Sequence, residues 1–174
     1  MAQPRLVLIG PPGSGKSSVG RRLAEATGLA WRDTDADVAT AAGKSISDIF
    51  LDDGEQEFRA QERRAVHAAL SEHDGVLSLG GGAILDESTQ ESVRGYAAAG
   101  GCVVFLDVSL TAAAPRVGFN RSRPLLLGNP RQQWKALMDE RRPIYESLAT
   151  VTVLTDELTV DEVSTSILEL ESRA

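Results

Sequence analysis

Residues 10–17 read Gly10-Pro11-Pro12-Gly13-Ser14-Gly15-Lys16-Ser17 and match the pattern of a phosphate-binding loop. The apolar run at residues 5–9 precedes the loop as a buried strand would, and residues 18–28 follow it with a helical pattern that ends at a glycine. Glycines let the backbone turn tightly and bring its N–H groups against phosphate oxygens, while the positive end of the helix dipole favours the anion. The stretch therefore predicts a site for a nucleoside triphosphate.

The end of this loop carries the side chains that phosphate chemistry needs. Lys16 can place a mobile positive charge on the β- and γ-phosphates, and the Ser17 hydroxyl can ligate Mg²⁺, which we expect to accompany the nucleotide. The nucleotide-binding residues expected in the loop are Gly13, Ser14, Gly15, Lys16, Ser17 and Ser18.

Length and composition limit the classes of protein that the chain can belong to. Its 174 residues suit one α/β domain, 1–174, and no apolar run approaches the length of about 20 residues that a membrane span needs. The net charge of −7 argues against binding to nucleic acid or to an anionic membrane. The sequence shows no signal peptide and has one cysteine, Cys102, so we expect a cytoplasmic protein, and a monomer.

Apolar runs alternate with helical patterns along the chain, which predicts a parallel sheet covered by helices on both faces. The predicted strands are 5–10, 30–33, 76–79, 102–108 and 150–155, and helices fill most of the sequence between them, including 35–73. Residues 118–129 have no periodicity, carry glycines near both ends and hold two arginines. That composition is typical of a mobile lid.

Asp33-Thr34-Asp35 follows the second predicted strand at its carboxyl end, where ligands bind in open α/β sheets. One carboxylate can bind the metal shell of a triphosphate, and the other can accept a proton from an incoming hydroxyl. Aspartates at these positions are also good N-caps for the next helix. Their spacing leaves both interpretations open, a role in ligand binding and a role in helix capping.

Three further features can serve a ligand. Arg59 lies one turn before Glu62 on a predicted helix, a spacing that usually means a solvated ion pair. Gly80-Gly81-Gly82 follows a strand and can offer bare N–H donors to a ligand at close range. Arg141 lies on the helix after the predicted lid.

In combination these features resemble the shikimate kinase family over nearly the whole chain. The phosphate loop occurs in many folds, but the other motifs that carry the resemblance are specific. They are Asp33-Thr34-Asp35, Glu55-x-x-Phe58-Arg59, Gly80-Gly81-Gly82, Arg123-Pro124-Leu125-Leu126, and Arg141 ahead of Pro143-Ile144-Tyr145.

The resemblance implies a three-layer P-loop kinase fold with a five-stranded parallel sheet in the order 2-3-1-4-5 and a lid at 118–129. It implies a substrate-binding region at about 34–62. The implied reaction transfers the γ-phosphate of ATP to the 3-hydroxyl of shikimate, on the route to aromatic amino acids. ATP and shikimate are thus the expected partners.

The resemblance also assigns roles to residues of this sequence. It implies that Lys16, Asp35 and Arg123 are catalytic, with Asp35 as the base. Arg116 and Arg123 would contact ATP, and Ser17 and Asp33 would serve the metal. The implied substrate-binding residues are Asp35, Arg59, Gly80, Gly81, Gly82 and Arg141.

Two alternatives stay open at this point. A gluconate-type or nucleotide kinase shares the loop and the fold, although paired arginines with Asp35 favour a carboxylated polyol over a nucleoside monophosphate. A non-catalytic nucleotide-binding switch is the other alternative, and the intact residues Lys16, Ser17, Asp33 and Asp35 argue against it. Residues 155–158 lack the arginine and proline that some family members place there, so they leave the adenine contacts undetermined.

Overall fold

The computed structural model describes residues 3–118 and 129–173. Within them a five-stranded parallel sheet has the order β2-β3-β1-β4-β5, which confirms the predicted order. Its strands are β1 Leu6–Ile9, β2 Trp31–Asp33, β3 Val76–Ser78, β4 Cys102–Asp107 and β5 Val151–Leu154. Leu6 is paired with Val76 on one side and with Cys102 on the other, so β1 is the central strand. All four of its residues are buried, as in a strand covered on both faces.

Eight α-helices are found among the described residues. They are α1 Lys16–Thr27, α2 Thr34–Ala42, α3 Ile46–Asp52, α4 Gly54–Glu72, α5 Glu87–Ala98, α6 Leu110–Arg116, α7 Pro130–Leu148 and α8 Val160–Glu171, with a 3-10 turn at Ala83–Leu85. The predicted helical region 35–73 is divided into three helices. Gly43 and Gly54 have φ values of 66° and 84°, in the left-handed region that glycine tolerates, so a helix ends at the first and another begins at the second.

The core lies on both faces of the sheet because side chains alternate along each strand. Val7 and Ile9 face a cluster that includes residues of α4, α5 and α7. Leu6 and Leu8 face the opposite cluster, with residues of α1 and α8. A third, smaller cluster joins α2, α3 and α4 through Val38, Ile49 and Phe58. The layered arrangement matches the predicted fold.

The predicted lid, 118–129, falls almost entirely within residues 119–128, which lie outside the described residues. Across residues 3–118 and 129–173, no helix is long and apolar enough to span a membrane.

Replacement of two helical glycines by alanine should have opposite effects on stability. A methyl group at Gly20 in α1 would overlap the indole nitrogen of Trp31, so we expect Gly20→Ala to lower the free energy of unfolding by about 1–3 kcal/mol. Gly95 in α5 is exposed and has open space at the same position, so Gly95→Ala should raise that free energy by about 0.5–1 kcal/mol. Urea unfolding of both variants measures the difference, and a shift of the same sign in both would contradict the packing at Gly20.

Candidate active site

The phosphate loop joins β1 to α1 and presents the start of that helix to solvent. Gly13 and Gly15 have φ values of 82° and 93°, which a residue with a side chain rarely adopts. Gly15 is the N-cap of α1 and makes no side-chain cap, and the first turn of the helix holds no acidic residue. The N–H groups at the start of α1 therefore face no competing anion from that turn, as an anion site requires.

Lys16 bends back over the loop. Its Nζ atom donates to the carbonyl oxygens of Gly10 and Pro11, at 2.7 and 3.2 Å. The backbone N–H of Ser14 also donates to the Pro11 carbonyl, at 3.2 Å, so in this conformation that N–H points into the loop. The Ser14 hydroxyl is buried and has no hydrogen-bond partner among the described residues.

Burial lowers the pKa of Lys16 to about 8, an effect that the charges of Asp35 and Asp33 oppose. The charged form of Lys16 is thus disfavoured by burial, and a further negative charge nearby would stabilise it. Phosphate oxygens at the loop would supply that charge.

Asp33 makes two contacts, one that caps a helix and one to the side chain of Ser17. Its Oδ1 atom accepts from the backbone N–H of Asp35 at 2.9 Å and caps α2, while Oδ2 accepts from the Ser17 hydroxyl at 3.3 Å. A serine hydroxyl and a carboxylate oxygen are ligands that suit Mg²⁺ carried by a nucleotide, which needs few protein ligands. The described residues contain no cluster of three or more acidic, histidine or cysteine side chains that could hold a metal on its own.

Asp35 lies in the first turn of α2, where it is half-buried and faces the end of β3. Burial raises the pKa of its carboxyl group, the charge of Asp33 raises it further, and Lys16 and Arg59 oppose both. A methyl group at Gly80 would overlap its Oδ1 atom. Asp35 also lines a cavity of about 570 Å³ that runs from the phosphate loop to the segment after β5.

The ion pair of Arg59 and Glu62 is not the solvated pair that its spacing suggested. Glu62 is buried, with 4% of its side chain exposed, and its Oε2 atom lies 2.6 Å from Nη1 of Arg59. Burial raises the pKa of Glu62, and the hydrogen bond and charge of Arg59 oppose that change. The prediction was wrong because α4 turns this face toward Gly80 rather than toward water.

The triglycine segment, 80–82, lies against charged groups, and a side chain at Gly80 or Gly82 would overlap those beside it. A side chain at Gly80 would meet the carboxylates of Asp35 and Glu62, and one at Gly82 would lie 2.5 Å from Nη1 of Arg59. Gly81 lies opposite Arg141, whose Nη1 atom would be 3.6 Å from an added methyl group. The segment therefore brings Asp35, Arg59 and Arg141 around one stretch of bare backbone.

Arg141 has no carboxylate within ion-pair distance among the described residues, and its Nε atom is buried without a hydrogen-bond partner there. A buried donor without a partner costs free energy unless a ligand or water satisfies it. The arrangement can receive a small carboxylated molecule whose anion lies near Arg141 and Arg59.

Comparison with known proteins identifies the family of the chain. The family model described as shikimate kinase matches residues 12–171. The chain belongs to the shikimate kinase family. Among curated members, it is 54% identical to the shikimate kinase of Thermobifida fusca over 92% of this chain and 91% of that one. It is 51% identical to the shikimate kinase of Streptomyces avermitilis, over 97% and 96% of the two chains.

The fold is also similar to a solved shikimate kinase from Acinetobacter baumannii, in complex with shikimate, with a TM-score of 0.88. That structure is 32% identical in sequence, and the match covers 99% of this chain and 94% of that one. These findings confirm the expectation of an ATP-dependent kinase and exclude the non-catalytic switch. They also favour shikimate kinase over the gluconate-type alternative.

The structure places one further expected residue, Arg116. Arg116, at the end of α6, donates to the carbonyl oxygen of Gly13 at 3.2 Å and to the hydroxyl and carbonyl of Thr155 at 3.1 and 3.0 Å. It lines the same cavity as Lys16, so it joins the phosphate loop to the segment after β5. Arg123 lies outside the described residues, so its expected contacts stay a prediction.

Sequence reasoning did not identify the role of Thr34. Thr34 is fully buried, and its hydroxyl accepts from the backbone N–H of Gly80 at 2.9 Å, which fixes the triglycine segment against α2. The only sequence feature that pointed to Thr34 was its position between two aspartates.

The lowered pKa of Lys16 predicts how nucleotide affinity depends on pH. The ligand-free protein loses the Lys16 proton as pH rises through about 8, so nucleotide must then bind with uptake of a proton. We expect the affinity for ADP to fall by about tenfold or more between about pH 7.5 and about pH 9.5.

Isothermal titration calorimetry across this range measures the effect. A Lys16→Arg variant stays protonated throughout and should give a flat profile, although with weaker binding. An equally flat profile in the unaltered protein would contradict the lowered pKa.

Proposed function

We propose that this protein transfers the γ-phosphate of ATP to the 3-hydroxyl of shikimate, giving shikimate 3-phosphate and ADP. The observation that carries the proposal is the convergence of Asp35, Arg59 and Arg141 on the triglycine segment, directly beside the phosphate loop. Shikimate is a small cyclic acid with several hydroxyl groups. It needs a cationic clamp at one end and a base at the other, and the two ends of this arrangement match that demand.

In the proposed complex, Arg59 and Arg141 bind the carboxylate of shikimate. Glu62 holds Nη1 of Arg59, so the arginine is oriented before the acid arrives. The buried Nε atom of Arg141 has no hydrogen-bond partner among the described residues and could donate to the carboxylate. The bare backbone at residues 80–82 lets the ring approach both groups. Two planar arginine donors on one carboxylate give directed, charge-assisted hydrogen bonds.

Asp35 is the proposed base. It lies between the acid clamp and the phosphate loop, because its carboxylate faces Gly80 while it also lines the nucleotide cavity. A carboxyl group whose pKa is raised holds a proton more readily than an ordinary aspartate, which suits transfer from a hydroxyl during reaction. Asp35 would accept the proton of the 3-hydroxyl as its oxygen attacks the γ-phosphorus.

The loop residues are proposed to hold ATP. The N–H groups of Gly13, Gly15 and the start of α1, together with the Lys16 ammonium, would neutralise the phosphates, and Ser14 and Ser18 complete the loop. Ser17 would ligate Mg²⁺ and Asp33 would hold a water of its shell, as the 3.3 Å contact between these two side chains permits. When bound, Mg²⁺ neutralises charge on the phosphates.

Two arginines would complete the phosphate site. Arg116 lines the nucleotide cavity and donates to the Gly13 carbonyl of the phosphate loop. Arg123 is proposed to neutralise the transferring phosphoryl from the segment 118–129, acting as a lid that excludes water and so prevents loss of ATP to hydrolysis. Because one chain supplies every proposed contact, the protein is proposed to act as a single-domain monomer, and its lone cysteine fits a cytoplasmic setting.

Substitution of Asp33 and of Asp35 should impair the reaction in different ways. Asp35→Asn removes the base, so we expect kcat to fall by about 10²–10⁴-fold while the Mg²⁺ dependence stays normal. Asp33→Asn removes the carboxylate that accepts from Ser17, so it should weaken the apparent affinity for Mg²⁺. Steady-state rates of ADP release at several Mg²⁺ concentrations separate the two. Identical metal titrations for both variants would contradict this division of roles.

The acid clamp can be tested on adjacent arginines. Arg141→Lys keeps the charge and loses the planar donor, so binding of shikimate should weaken by about 1.5–3 kcal/mol. Arg142→Lys is the matched control, because Arg142 is paired with Asp107 at 2.7 Å and is engaged away from the proposed acid site. Calorimetric titration with shikimate should show a loss only for Arg141→Lys. An equal loss in both variants would mean that the helix, rather than the clamp, was disturbed.

A further inference from the structure

Trp134 connects helix α7 to the phosphate loop. Its side chain is buried, with 6% of the residue exposed, and its indole N–H donates to the carbonyl oxygen of Pro12 at 3.0 Å. The bond joins residues 122 positions apart in the sequence. A tryptophan N–H that is removed from water normally finds an acceptor, and here the acceptor is the backbone of the nucleotide site.

This bond belongs to a set of side-chain hydrogen bonds that fixes the backbone of the loop, from Lys16 within the loop and from Trp134 and Arg116 outside it. The Ser14 N–H donates to the Pro11 carbonyl at 3.2 Å, but Pro11 and Pro12 have no N–H, so neither can donate a backbone hydrogen bond within the loop. Each carbonyl from residue 10 to residue 13 instead accepts a hydrogen bond. Lys16 donates to the carbonyls of residues 10 and 11, Trp134 to that of residue 12, and Arg116 to that of residue 13. The carbonyls of residues 12 and 13 share their peptide planes with the N–H groups of Gly13 and Ser14, so fixing these two carbonyls also fixes the orientation of those N–H groups.

The other half of α7 is bonded to the acid site. The Tyr145 hydroxyl donates to the carbonyl oxygen of Gly81 at 2.6 Å, and its ring stacks on Phe105 with centroids 5.0 Å apart. Tyr145 follows Trp134 by about three helical turns, or about 16 Å, so both side chains lie on one face of the helix. Arg141 lies on the same face, one turn before Tyr145. One helix thus contacts both the phosphate loop and the triglycine segment.

We propose that Trp134 is a positioning residue that acts through the Pro12 carbonyl to set the phosphate loop at a fixed distance from the acid site. It touches neither substrate in this account, which rests on the proposed function for the identity of the acid. Transfer between two bound molecules requires their reacting atoms to lie within a narrow range of distance and angle. In this proposal, Trp134 and Tyr145 hold the two sites in that range from α7, in addition to the direct packing of Gly81 beside Gly10 and Pro12.

The test compares Trp134→Phe with Tyr145→Phe, which each remove one hydrogen-bond donor and keep an aromatic ring. We expect Trp134→Phe to raise the KM for ATP and the Kd for ADP by about three- to tenfold, the effect of one neutral hydrogen bond. The KM for shikimate should stay within about twofold of normal. Tyr145→Phe should give the reverse, with weaker shikimate binding and unchanged ADP binding.

A merely structural role for Trp134 would lower the melting temperature and leave both substrate affinities unchanged. That result would overturn the proposal, as would equal losses of affinity for both substrates in the Trp134→Phe variant. The Kd for ADP is measured by calorimetry without turnover. It therefore tests Trp134 even if shikimate proves not to be the acceptor, whereas failure of shikimate to bind would count against the proposed function alone.

A second measurement leaves Trp134 intact. The chain has two tryptophans, so Trp31→Phe makes Trp134 the sole indole fluorophore. Its emission should change when ADP with Mg²⁺ is added and stay constant when shikimate is added alone. If the Trp134 emission does not change when calorimetry shows that ADP is bound, the link between Trp134 and the loop is overturned.

Discussion

After strand β3 the backbone passes between Asp35, Glu62 and Arg59 without any side chain of its own at residues 80–82. Those three charged side chains come from α2 and α4, and each occupies the volume that a side chain of the segment would need. Because the glycine at 80 also donates its N–H to the buried Thr34 hydroxyl, the segment is fixed as well as bare. The proposed substrate site depends on this absence of side chains more than on any single charged residue.

The positive charges around the segment are arranged so that the negative groups of each proposed substrate would neutralise them. Arg59 is paired with buried Glu62, Arg141 has no carboxylate within ion-pair distance among the described residues, and Lys16 has a lowered pKa. An acid beside Arg141 and phosphates beside Lys16 would supply the missing negative charge in both places. Asp35 lies between them, and burial together with Asp33 raises its pKa. In the proposed complex, that position would give Asp35 access to the hydroxyl of the substrate.

Local patterns predicted the phosphate loop, the strand segments and the position of Asp33 and Asp35, because each depends on residues that are neighbours in sequence. Features that depend on tertiary contacts were harder to predict. The spacing of Arg59 and Glu62 cannot show which way the helix faces, so the burial of Glu62 was not predicted. Trp134 and Tyr145 carry no local motif for their bonds to Pro12 and Gly81, which are formed across the fold. The lid motif lies outside the described residues, and its role stays a prediction.

The most direct test of the account is ADP release by the unaltered protein with a panel of acceptors: shikimate, its methyl ester, gluconate and AMP. The account predicts rapid release with shikimate and little with the ester, because the ester lacks the anion that Arg59 and Arg141 would bind. It also predicts little release with gluconate or AMP. Equal rates with shikimate and its ester would contradict the clamp, and faster release with gluconate or AMP would contradict the proposed substrate.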